Sequence, residues 1–198
     1  MTRAALRLVA VFVALFFLGT ATTASAQSAP SDPAITGEPT PAEQRIIKEE
    51  WGRFASVFGG RECLGPVEVR VVDRVEDHYP GRDFGSLASF YLFPPDAIVY
   101  IEHGKVNAEN LIHEFAHHFD ISCSLGERSF GARFIEAQGF EPGHPWLTGE
   151  SWDTVPAEHF AQAVLAEFGI PSTKITIGPR AERLVASLAL DRRSLGPL

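Results

Sequence analysis

The residues whose types and spacing could do chemistry together are His113, Glu114 and His117, in the segment NLIHEFAHHFDISC at 110–123. Two histidines four apart lie one turn from each other on the same helix face. Imidazoles so placed can grip one metal ion from the same side. Glu114 is turned about 100° further round the helix. There it can act as the base for a water held by that metal. Two imidazoles and a carboxylate in the order H-E-x-x-H on a helix therefore point to metal-assisted hydrolysis.

Two histidines need a third ligand. Two His and one carboxylate form a catalytic zinc set that keeps a coordination position open. In VPAEHFAQAVLAEF, residues 155–168, the apolar Phe160, Ala161, Val164, Leu165 and Phe168 form one helical stripe. Glu158 sits at the edge of that stripe, and His159 points elsewhere, so Glu158 is the leading third ligand. Asp120 competes, since it shares a helix face with His113 and His117. It is short, however, and three ligands from one straight helix fit poorly around a tetrahedral ion. Its expected part is to accept an N–H from a ligand histidine. Gln162, one turn beyond Glu158, is a second candidate to bond a ligand. His144, Glu150 and Asp153 remain as further third-ligand candidates.

With HEFAH and a Glu on a second helix about forty residues later, the stretch from Ile98 to Phe168 resembles the gluzincin group of zinc metallopeptidases. The resemblance implies one zinc ion held by His113, His117 and Glu158, with Glu114 activating the zinc-bound water. It also implies a peptide or protein substrate bound in extended form along the strand before the active helix, here AIVYIEHG at 97–104. Larger gluzincins often carry an Asp four residues after the ligand Glu, where this chain has Gln162. No Tyr or His matches the family's oxyanion-stabilising residue; His144, Tyr91 and Tyr100 are the candidates. That gap keeps an alternative open: a secreted zinc- or partner-binding module without turnover. A purely structural domain, with the histidines as core residues, is the third.

These side chains need elements to carry them. Asn107 is suited to cap a helix over 107–121. Thr40, Pro41 and Glu43 start a helix with a capping box, which Gly59-Gly60 ends. PVEVRVVD (66–73), LASFYLF (87–93) and AIVYIEHG (97–104) read as strands. SFGARFIEAQG, VPAEHFAQAVLAEF (capped by Asp153 or Thr154) and GPRAERLVASLAL read as helices. Segregated helices and strands predict an α+β fold, with a small, mostly antiparallel three-stranded sheet packed by helices. One domain over 40–198 follows, with 27–39 as a disordered leader rich in Ser, Pro and Ala.

The first 26 residues read as a signal peptide. Arg3 and Arg7 precede the apolar run Leu8 to Gly19, and Ala24 and Ala26 make an A-x-A cleavage site. Export to the extracellular side follows, without stable membrane insertion after cleavage. Of the 17 Lys and Arg, two lie in this segment, so the mature chain carries fifteen against 25 acidic residues, a net charge of −10. That excludes nucleic acid as an expected partner. Cys63 and Cys123 are the two cysteines, and in an oxidising compartment they predict one disulfide, with Cys123 as a thiolate metal ligand the alternative. The oligomeric state is not legible.

Overall fold

The computed structural model describes residues 31–78, 88–93, 95–172 and 174–190. The signal-peptide segment lies outside the described residues. In chain order the elements are β1 (Ala34–Gly37), α1 (Pro41–Phe58), β2 (Glu68–Val72), a 3-10 turn (Val75–His78), β3 (Ser89–Leu92), β4 (Ile98–Glu102), α2 (Ala108–Ser122), α3 (Ser129–Gln138), a second 3-10 turn (Trp152–Thr154), α4 (Pro156–Ala166) and α5 (Pro179–Leu190).

The α+β class holds, but the sheet differs from the expectation. It has four strands in the order β1-β2-β4-β3. β1 pairs with β2 and β2 with β4 in parallel; β3 against β4 is the antiparallel pair. Apolar alternation reports which face of a strand is buried, not which neighbour it pairs with, so it could not give the order. The added strand, AITG, falls inside the 27–39 segment expected to be disordered. Four residues offer too little periodicity to be read as a strand. Ala34 opposite Glu68 and Gly37 opposite Val71 tie it to β2.

The core lies between one face of the sheet and the helices. Trp51, Phe54 and Phe58 of α1 meet Phe115 and Phe119 of α2, with ring centroids 5.0 Å apart for Trp51–Phe115 and 4.9 Å for Phe58–Phe119. Phe160 of α4 and Phe134 of α3 continue the cluster, at 5.9 Å. Aromatic pairs at such spacing stabilise beyond their buried area. Thus α2 is packed by α1, α4 and β3, and its orientation is over-determined. At its start Asn107 Oδ1 accepts the Asn110 N–H at 3.0 Å, the expected cap. Thr40 and Glu43 form the capping box of α1. The start of α4 departs from expectation: its N-cap is Val155, without a side-chain bond, and Pro156 opens the helix. Thr154 instead bonds Ser151 around the preceding 3-10 turn.

A disulfide joins Cys63, in the loop after α1, to Cys123 at the end of α2. It anchors the C-terminal end of the helix that carries the motif.

Candidate metal centre

Three atoms from two helices converge. Glu158 Oε2 of α4 lies 3.0 Å from His113 Nε2 and 3.3 Å from His117 Nε2 of α2, and the two Nε2 atoms are 3.2 Å apart. Ligands about 2.0–2.1 Å from a tetrahedral ion stand roughly 3.3 Å from one another, so this triangle has the size of one face of a zinc site. The donor set fits as well. Two imidazole lone pairs and a carboxylate brought together repel unless a proton or a cation lies among them. His113, His117 and Glu158 can therefore hold a metal ion, as the spacing and the stripe of α4 predicted.

The α2–α4 packing produces this convergence. Glu158 is in the first turn of α4, where the helix dipole favours negative charge. Burial opposes that charge, but His117 and His113 outweigh it and hold the carboxyl well below the usual carboxylate range. Burial likewise opposes a charged His117. The Glu158 carboxylate prevails, and the imidazole is raised to about 9.

Glu114 is buried, at 4% exposure. Its Oε1 accepts a hydrogen bond from Ser89 Oγ at 2.8 Å. Burial raises its pKa; His113 and His117 act in the opposite direction, and Glu158 adds to the rise. A carboxylate pushed towards neutrality beside a cation-binding triad suits proton transfer. Ser89 is on β3, an edge strand, and sequence reasoning missed it. A serine on a short strand carries no local mark of a helix glutamate 25 residues away.

Gln162 faces His113, with its side-chain amide 3.1 Å from Nδ1. Asp120 does not take the expected N–H from a ligand histidine. Its Oδ2 accepts the Trp146 indole N–H at 2.6 Å and its Oδ1 the Gly126 N–H at 3.2 Å. The carboxylate points along α2 towards the 124–126 turn and the 140–150 loop, and clamps both. Burial pushes it up to about 6, against the Trp146 bond.

His144 bonds the Pro145 carbonyl through Nδ1 at 2.9 Å, and its ring lies tilted against Phe140. The tyrosines are committed elsewhere. Tyr91 OH bonds His118 Nδ1 at 3.1 Å. Tyr100 OH accepts from Arg70 at 3.1 Å, and its ring packs with Val75 and Ile98 away from the main core. Glu150 and Asp153 are exposed and outside the triad. Of the two loop tryptophans, Trp152 lies alongside His113, with ring centroids 6.2 Å apart and planes at 30°. β4, the expected substrate strand, is paired on both sides and so has no free edge.

Comparison with protein-family models, with curated proteins and with solved structures returns no match.

Proposed function

We propose that the chain is a secreted zinc metallopeptidase that cleaves peptide bonds. The observation that carries this reading is the triangle of His113 Nε2, His117 Nε2 and Glu158 Oε2 beside a buried Glu114. Zinc held by these three groups would supply Lewis acidity, lowering the pKa of a water and polarising the scissile carbonyl. Glu114 takes a proton from the attacking water and delivers it to the leaving amine. Ser89 holds one carboxylate oxygen of Glu114 and leaves the other free for that transfer. β3, unpaired on its outer side among the described residues, offers an edge to an extended substrate. Trp152 walls the site beside His113. The disulfide suits an oxidising compartment, and no helix among the described residues is long and apolar enough to cross a membrane.

The second reading is a secreted zinc- or partner-binding module without turnover. One observation favours it: Tyr91 and Tyr100 are engaged elsewhere, and His144 shares no hydrogen bond with the triad. Glu114→Gln separates the two. On the peptidase reading the variant keeps stoichiometric zinc and loses at least about a hundredfold in cleavage of a mixed peptide library. Zinc bound by the wild type with no chelator-sensitive cleavage of any library member favours the module.

A further inference from the structure

A chain of polar groups runs outward from His113. Gln162 Nε2 is 3.1 Å from His113 Nδ1, Gln162 Oε1 is 2.9 Å from Ser172 Oγ, and Ser172 Oγ is 2.7 Å from the Ile175 carbonyl oxygen. Gln162 is 1% exposed, so its bonds matter. We propose that Ser172 and Gln162 are positioning residues that keep the His113 proton on Nδ1 and turn the Nε2 lone pair towards the metal. The inference rests on the zinc reading of the triad.

Proton accounting fixes the direction. The Ile175 carbonyl can only accept, so the single Ser172 hydroxyl proton goes to it. Ser172 Oγ is then an acceptor, so the Gln162 amide has to turn its NH2 group to Ser172, exchanging the Oε1 and Nε2 positions. The Gln162 oxygen is left facing His113, where it accepts the Nδ1–H. His113 Nδ1–H, one Gln162 N–H and the Ser172 hydroxyl then each have an acceptor, and Nε2 is free to ligate. With Oε1 left at Ser172, the Ser172 proton has two competing acceptors. His113 then carries its proton on Nε2, between Glu158 Oε2 and His117 Nε2, where no metal can enter. A carboxamide turns between these states by exchanging its O and N positions.

A neighbouring histidine provides the contrast. Gln138 bridges His159 Nδ1, at 2.9 Å, to the Gly178 N–H, which donates to Gln138 Oε1 at 3.0 Å. This chain ends on a backbone donor, so the Gln138 oxygen faces Gly178 and its NH2 group donates a hydrogen bond to an unprotonated His159 Nδ1. His159 Nε2–H then donates to the Asp153 carbonyl at 2.7 Å. The two histidines should hold opposite tautomers, and both bridges run to the same 172–178 segment.

Two measurements on the full mature chain test this. In zinc-free wild type, two-bond proton–nitrogen NMR should show His113 protonated on Nδ1 and His159 on Nε2. His113 protonated on Nε2 would overturn the relay. Zinc affinity by dye competition should fall about 10–100-fold in Gln162→Leu and roughly 2–10-fold in Ser172→Ala. Gln162→Glu, which keeps the acceptor, should bind at least as tightly as wild type. Wild-type affinity in Gln162→Leu and Ser172→Ala, with zinc lost in His113→Ala, refutes the relay and leaves the metal centre standing. A wild type that binds no zinc removes both.

Discussion

Proton competition at His117 gives a prediction with a worked magnitude. In the chain without bound metal, the Glu158 carboxylate holds the His117 imidazole protonated up to about 9, against an ordinary value of 6.5. A raised imidazole pKa contributes stability that is fully present below 6.5 and is lost as pH rises through 9. The difference, about 2.5 pH units, is worth on the order of 3 kcal/mol. Zinc binding has the opposite dependence, because a ligating imidazole must be neutral. Below pH 9 each zinc displaces the His117 proton, so apparent affinity rises about tenfold per pH unit and at pH 7 stands roughly a hundredfold below its plateau. Asp120, raised to about 6, completes its own loss of stability below this window. Glu114, raised by burial, contributes a loss of the same sign, so the comparison is made in Glu114→Gln. Urea unfolding at pH 6.5, 8 and 9.5, with chelator or with buffered zinc, reads both slopes. Chelated stability should fall across the series, while the gain from zinc grows. Calorimetry of zinc binding at pH 7.5 in buffers of different ionisation heat should count one proton released. Glu158→Gln should flatten the chelated slope. Chelated stability that stays level or rises from pH 6.5 to 9.5, or zinc binding that releases no proton at pH 7.5, refutes the coupling of His117 to Glu158.

Trp146→Phe removes the indole donor to Asp120 Oδ2 and leaves a buried carboxylate half-satisfied; denaturant unfolding should show a loss of about 1–3 kcal/mol. Replacing both Cys63 and Cys123 by Ser opens a 60-residue link. The chain-entropy cost is about 4 kcal/mol, and a calorimetric melting temperature within a degree of wild type would contradict it. Ser89→Ala frees Glu114 Oε1. On the peptidase reading it should lower kcat several-fold with zinc content unchanged by elemental analysis; a loss of zinc instead would place Ser89 with the metal rather than with the base.

Much of the candidate site was legible because it depends on local periodicity. Four-residue spacing puts His113 and His117 on one helix face whatever surrounds the helix, and Asn107 marks where that helix starts. The apolar stripe of Phe160, Ala161, Val164 and Leu165 placed Glu158 at a buried edge. Asp120 takes partners the sequence does not predict, because a helix face says which way a side chain points and not which loop folds over it. Trp146, 26 residues on, supplies the donor.

From the sequence alone followed the helices that carry His113, His117 and Glu158, the Asn107 and Thr40 caps and the two cysteines, since these follow from spacing and side-chain type within a few turns. Tertiary structure decided the rest: that β4 lies inside the sheet and β3 at its edge, that AITG joins as a strand, and that Ser89, Ser172 and Trp152 come to Glu114, Gln162 and His113. Each is a pairing between distant segments. Such pairings are set by how α2 packs against β3, α1 and α4, and no local pattern encodes them.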